Sequence, residues 1–251
     1  MTDEPIPVAV VTAAGGMMGT AIVERLAAAG YRLVVNDRRD SGVEAAQASA
    51  REAGAEAVAV AADVSARTEA AAVINAAAER FGRMDVLVNV AGGIKGPVDN
   101  PFLSITVDQW HRTMQANRDS AFHCMQLAIP VLTESGGGRI VNIGSTSWAG
   151  SPLHAHYAAA KAGLVALTRS VAAQVGPSGI TVNIVAPGGT VTHAADLPGF
   201  PTAEQWRTRN PLGRPNEPGD IADAVMFLVG TGARNISGEI LTVAGGLNPS
   251  L

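Results

Sequence analysis

Continuous apolar runs alternate at short intervals with alanine-rich helical stretches along this chain, and that rhythm leaves few folds open. Residues 8–11, 32–36, 57–61 and 85–90 read as strands; between them lie helical stretches at 20–30, from Ser41 as N-cap to about 53, and at 67–81. Glycines close these helices at Gly30, Gly54 and Gly82. The second half continues with a long helix from 106 to about 134, a strand at 139–145, a helix at 155–175, a strand at 180–186, a helix at 218–229 and a final strand near 239–243. Strands that are apolar throughout, with no polar alternation, are buried on both faces. Helical crossovers between such strands make them parallel. The pattern therefore predicts an α/β fold: one doubly wound parallel sheet with helices on both faces. No linker or composition shift divides residues 1–251, so a single domain is expected. The one irregular stretch, about 192–217, is expected to be a lid over the substrate.

Composition limits function. Apolar residues make up 47 % of the chain and aromatics only 4 %, so the core must be aliphatic and alanine-rich. A net charge of −4 with no run of like charges lacks the basic footprint that nucleic acid requires. The start, Met-Thr-Asp-Glu-Pro, lacks a basic n-region and apolar run, and no window approaches the ~18 apolar residues of a membrane span. A single cysteine, Cys124, suits a reducing compartment. A cytoplasmic enzyme or binding protein is expected, with no membrane partner.

In open α/β sheets the ligand lies beyond the carboxyl ends of the strands, and the polar signals fall there. Thr12 to Gly19 is a glycine-rich turn leading into a helix, suited to a dinucleotide pyrophosphate; Gly15, Gly16, Met17, Met18 and Gly19 are the residues expected to meet it. Asp37 ends the second strand, where a carboxylate can take both ribose hydroxyls and repel a 2′-phosphate. Asp63 and Val64 are placed to hold the adenine edge, and Asn89, Ala91 and Gly92 lie where the middle of the cofactor passes. Tyr157 and Lys161, four residues apart near the start of a helix, share one face. An ammonium beside a phenol is expected to lower its pKa towards the working range, and Ser145 can hydrogen-bond the same substrate oxygen. Each signal alone has a bland reading: an ordinary turn, a helix N-cap, a surface Tyr and Lys.

Together they resemble a known family. Thr12–Gly19, Asn89-Val-Ala-Gly92, Asn117, Ser145, Tyr157-Ala-Ala-Ala-Lys161, Pro187-Gly188, the segment from Asn210 to Ala222 and the tail from Ile236 fall in the order of the short-chain dehydrogenases/reductases. The resemblance covers nearly the whole chain and is closest to the 3-oxoacyl-carrier-protein reductase-like and polyol dehydrogenase branches. It implies a Rossmann-type fold and hydride transfer between NAD(H) and a secondary alcohol or its ketone, with NADP less favoured. It implies Tyr157 as general acid/base, Ser145 as donor to the carbonyl oxygen, Lys161 on the nicotinamide ribose and tuning the tyrosine, and Asn117 holding a relay water. Pro187, Gly188 and Thr190 would orient the carboxamide, and Thr192 would contact the phosphates. A homodimer or homotetramer through the helices after Thr106 and Tyr157 is also implied.

Four departures stand out. Ala13 and Met17 occupy positions where the family usually has glycine; Ser145 is one residue closer to Tyr157 than usual, with Ser147 the less favoured substitute; Arg38 follows Asp37 where NADP-preferring relatives carry a base; Ala244 replaces a usual aspartate. Ile94, Trp148, His154, Leu197, Phe200 and Trp206 are the expected substrate lining, which suits a hydrophobic or ring-bearing small molecule. His154-x-His156 lacks further ligands at sensible spacing, so no metal is expected. Two rival functions remain at this stage: a catalytically silent dinucleotide-binding regulatory or scaffold protein, and a lyase or dehydratase using the same acid/base pair.

Overall fold

A computed structural model describes residues 5–94, 96–97, 100–192 and 201–247. Seven strands form one wholly parallel sheet in the order β3-β2-β1-β4-β5-β6-β7. They are β1 Val8–Val11, β2 Arg32–Asp37, β3 Ala57–Ala61, β4 Val86–Asn89, β5 Gly138–Ile143, β6 Ile180–Pro187 and β7 Ile240–Val243. The order reverses between β1 and β4, which opens a crevice at their carboxyl ends. The helices are α1 Met17–Ala28, α2 Asp40–Glu52, α3 Arg67–Phe81, α4 Val107–Met114, α5 Ser120–Glu134, α6 Ala155–Val175, α7 Ala203–Arg209 and α8 Pro218–Val229.

Two cores result, one on each face of the sheet. Val8, Val10, Leu87 and Ile140 point to the side covered by α3, α5 and α6. Ala9, Val11, Val86 and Val141 point to the side covered by α1, α2 and α8. That strict alternation of direction along strands apolar at every position is what makes the sheet two-sided. Burying one such aliphatic side chain stabilises the fold by roughly 1.5–3 kcal/mol.

The structure corrects three expected boundaries. Helix α1 begins at Met17, three residues earlier than expected, because Gly16 in extended conformation already serves as its N-cap. Helix α2 begins at Asp40, so Ser41 lies inside it and Arg39 takes the cap position. The long helix predicted from 106 is interrupted by a π turn at Gln115–Asp119 between α4 and α5. The extra residue in that turn re-aims Asn117, which is fully buried, and such bulges concentrate at functional sites. The start at Thr106 holds: its hydroxyl accepts from the Gln109 amide and the Gln109 side chain returns the bond.

Candidate active site

A cleft of about 940 Å³ lies at the carboxyl edge of the sheet, bounded by Ala13, Gly16, Asp37, Val64, Gly92 and Ile94 among others. The first turn is held from both sides. Thr12 is fully buried and its hydroxyl accepts from the Val90 and Ala91 amides at 3.0 and 3.1 Å, stitching the turn to the end of β4. The Ala14 amide donates to Asn36 at 2.7 Å, stitching it to β2. A Cβ on Gly19 would strike the Ala13 carbonyl, and one on Gly15 would strike the backbone of Gly42 in α2. No side chain caps the first turn of α1, so Met17, Met18 and Gly19 supply a helix N-terminus of the kind that favours an anion. Met17 is accommodated as the first helical residue, with Gly16 at the edge of the cleft.

Ala13 has φ 49°, the only positive value for a non-glycine among the described residues. The turn thus keeps a conformation suited to glycine while carrying a methyl group, at a cost of about 1–2 kcal/mol. Ala13→Gly relieves that strain and gives back roughly 0.5–1 kcal/mol through the looser unfolded chain. A melting temperature raised by about 1–4 °C is expected for Ala13→Gly in a thermal melt. A lower one would overturn the strained reading.

Asp37 is only 5 % exposed. Its Oδ1 accepts from the Arg39 amide at 3.0 Å and from Arg39 Nε at 3.1 Å. A Cβ on Gly42 would lie 2.7 Å from the Asp37 carboxyl carbon, so α2 can start beside the carboxylate only with glycine at that position. Asn36 donates to the carbonyls of Val60 and Ala62, each at 3.0 Å, and thereby sets where Asp63 and Val64 meet the cleft. Asp63 folds back to accept from the Ser65 amide at 3.0 Å, while Val64 is buried. Arg38 is exposed along the same wall.

Behind Gly92, which lines the cleft, lie the candidate catalytic residues. Ser145 caps a 3-10 turn at Thr146–Ala149, its Oγ accepting from the Ser147 amide at 3.2 Å, and its side chain is near enough to the Tyr157 hydroxyl to favour the ionised phenol. Ser145, and not Ser147, is therefore the serine that faces the tyrosine. Lys161 is 2 % exposed; its Nζ donates to the Ile143 carbonyl at 2.7 Å and lies 5.7 Å from the centre of the Tyr157 ring. Asn117 clamps the opposite wall, accepting from the Gly93 amide at 2.8 Å and donating to the Gly93 and Thr113 carbonyls at 2.9 Å each. A Cβ on Gly92 would stand 2.6 Å from Asn117 Oδ1 and 3.3 Å from Lys161 Nζ, so Gly92 is what lets these two groups approach.

The electrostatics differ from the sequence expectation. Burial pushes the Tyr157 pKa up, and the Ser145 hydrogen bond opposes it. Burial pulls Lys161 down to about 7. The phenol is therefore not lowered by its lysine neighbour in this geometry; the serine is what favours its ionised form.

The remaining expected residues are scattered. Pro187 ends β6, Gly188 donates to Val243 at 2.8 Å, and buried Thr190 donates back to the Gly188 carbonyl at 3.1 Å. Trp206, expected in the substrate wall, is stacked on Gly189 so closely that no side chain fits there, with the Arg209 guanidinium 5.8 Å from its ring. Trp148 packs against the core beneath α6, and His154 Nδ1 sits 3.3 Å from Ser151 Oγ. Thr192 is partly exposed; Leu197 and Phe200 lie outside the described residues. No cluster of three metal-ligating side chains occurs among the described residues. Arg39, Asn36 and Gly42 were missed as site residues: their roles are contacts to Asp37 or to the next strand, invisible to a linear motif.

The protein-family comparison matches residues 13–248 to a family described as enoyl-(acyl carrier protein) reductase. A 3-oxoacyl-[acyl-carrier-protein] reductase of Staphylococcus aureus is 35 % identical over 245 residues, 95 % of this chain and 97 % of that protein. The chain is a short-chain dehydrogenase/reductase. Two solved members of this oxidoreductase family superpose closely: levodione reductase, with a TM-score of 0.89, 32 % identity and 96 % of each chain covered, and NAD+-bound xylitol dehydrogenase, with a TM-score of 0.88, 29 % identity, and 96 % of this chain and 98 % of that one covered. It acts between CH–OH and C=O groups and uses a nicotinamide dinucleotide. Among the described residues no helix is long and apolar enough to cross a membrane.

Proposed function

We propose that this enzyme interconverts a secondary alcohol and its ketone with NAD(H), using Tyr157 as general acid/base. The observation that carries this reading is Tyr157 facing Ser145, with Lys161 5.7 Å from the centre of its ring and directly behind Gly92 of a cleft suited to a dinucleotide. The residues present fit that cofactor: an uncapped helix start for the pyrophosphate, a buried carboxylate for the ribose, and glycine at position 92, where any side chain would collide with Asn117. When bound, the dinucleotide supplies or accepts the hydride. In the reducing direction Tyr157 gives its proton to the carbonyl oxygen while Ser145 holds that oxygen by a hydrogen bond. In the oxidising direction Tyr157 takes the proton back. Lys161, anchored on Ile143, stands beside the tyrosine ring and behind Gly92, where it would hold the nicotinamide ribose. Asn117 has committed both amide protons to backbone carbonyls, so its first task is to hold the Gly92–Gly93 wall against Lys161.

The preference for NAD rests on Asp37. A buried carboxylate at the end of β2 attracts ribose hydroxyls and repels a 2′-phosphate, and Arg39 holds one of its two oxygens in place. Asp37→Ala removes the repulsion and leaves Arg38 and Arg39 beside the vacated space. Wild type run on an alcohol and ketone panel with both cofactors is expected to favour NAD(H) by at least about a hundredfold in kcat/KM, a ~2.7 kcal/mol difference. Asp37→Ala should cut that ratio at least tenfold. A wild-type preference for NADP(H) would sink this reading.

An apolar or ring-bearing substrate is supported by Ile94 on the cleft wall and Trp148 beside the Ser145 turn. Of the expected lid at about 192–217, the described residues 201–217 are read as its covering segment. Its far end is tied to the loop after β6, where the Asn216 amide donates to Gly189 at 3.0 Å and the Val191 amide to Asn216 at 2.9 Å. Exposed Val107, Trp110 and Phe122 on α4 and α5 favour a homodimer or homotetramer, and the buried free thiol of Cys124 suits the cytoplasm.

A further inference from the structure

Two asparagines interrupt the aliphatic face that β4 and β5 turn towards α6. Asn89 and Asn142 are paired in register, 4 % and 0 % exposed, on the side otherwise lined by Leu87 and Ile140. Asn89 Nδ2 donates to Asn142 Oδ1 at 2.8 Å. Asn142 Nδ2 donates to Thr168 Oγ1 at 2.9 Å, its remaining proton reaching the Met125 sulfur at 3.5 Å. Thr168 is itself 1 % exposed, in the middle of α6. A buried amide without partners costs a few kcal/mol, and two apolar side chains would fill the same space without that liability.

The placement suggests what the polar chain achieves. Lys161 and Thr168 are seven residues apart on α6, which is close to two full turns, so they lie on one face about 10 Å apart. Their partners are consecutive on β5: Thr168 holds the Asn142 side chain, and Lys161 holds the Ile143 carbonyl. Between Lys161 and Thr168 the buried side chains of α6 are Leu164 and Val165, with Ala158 and Ala160 before them and Ala172 after. Apolar contact is non-directional, so packing by itself sets the height of this helix less strictly than a bond does. A directional bond at Thr168 sets it strictly.

We infer that Asn142 and Thr168 are positioning residues, a second anchor that fixes the height of α6 on β5 and so holds Lys161 and Tyr157 in register with Ser145. This rests on the reading of Tyr157 and Lys161 given above. The chain contains only two lysines, Lys95 and Lys161, so ¹³C-lysine-labelled protein reports Lys161 directly by NMR, independent of turnover. In full-length Thr168→Val, the Lys161 titration midpoint shifts by at least half a pH unit, the kcat/KM pH profile moves with it, kcat falls at least tenfold, and the KM for cofactor changes less than twofold. Thr168→Ser, which keeps the hydroxyl, restores all four. If Thr168→Val does not fold, Asn142→Leu, which keeps the size but can neither donate to nor accept from Thr168, gives the same readouts. A Lys161 titration and kcat left at wild-type values in folded Thr168→Val, with only the melting temperature lowered, would overturn the inference and leave a merely structural tie. Turnover surviving in Tyr157→Phe would instead overturn the underlying assignment, so the two failures are distinct.

Discussion

Tyr157→Phe is expected to reduce turnover at least a thousandfold while the protein still folds and binds its dinucleotide. The substitution removes one oxygen, and that oxygen is the proposed proton donor facing Ser145. Positioned acid/base groups contribute about 10²–10⁴-fold. Because the ring remains, cofactor affinity measured by fluorescence titration should change by less than about threefold, and the loss should fall on kcat. Since burial raises the tyrosine and the Ser145 bond opposes that rise, Ser145→Ala should move the alkaline inflection of the oxidation rate to higher pH. Residual activity above a tenth of wild type in Tyr157→Phe would remove the residue from its role.

Lys161→Met is expected to abolish most turnover and yet stabilise the fold below neutral pH. Lys161 is buried without a carboxylate partner among the described ion pairs, and burial lowers its pKa from the ordinary lysine value to about 7. Between about pH 7 and the ordinary lysine pKa the unfolded chain binds a proton that the folded chain does not. Stability therefore climbs with pH across that window, and below about pH 7 the full cost of the buried charge remains. Methionine fills the same space without charge, so this slope should vanish. Loss of the bond to Ile143 leaves a buried carbonyl and costs about 1–3 kcal/mol, which reduces the gain. A net stabilisation on the order of 1–3 kcal/mol at pH 6, shrinking towards pH 9, is expected in urea melts. Parallel pH dependences for the two proteins would show that Lys161 keeps its ordinary pKa.

The proposed catalytic pair stood out in the sequence by its four-residue spacing after a strand and by its match to the family's motif. Lysine is almost never fully buried, and a buried one at i+4 from a tyrosine, after a strand, has few purposes besides function. The strands were legible for a different reason. Their apolar runs are continuous because both faces of the sheet are covered, and α3, α6 and α8 were legible from helix-forming composition bounded by glycine or proline. The π turn at 115–119 was not legible, since it arises from packing of Asn117 against Gly93 and has no local sequence signature. The start of α2 was misjudged because Ser41 is a good cap by type, whereas the backbone of Arg39 is held by Asp37 and takes the position first.

The sequence by itself determined the doubly wound sheet and the family and marked Tyr157, Lys161, Asp37 and Asn117 as candidates, because local propensity, strand burial and short spacings are written in consecutive residues. Only the tertiary structure decided which serine meets the tyrosine, that Gly42 and Arg39 shape the Asp37 wall, that Trp206 backs the loop after β6, and that Asn142 ties α6 to β5. Each of these depends on which groups the packed chain brings together, up to 26 residues apart in the case of Asn142 and Thr168, and no local pattern records which of many chemically eligible partners packing will choose.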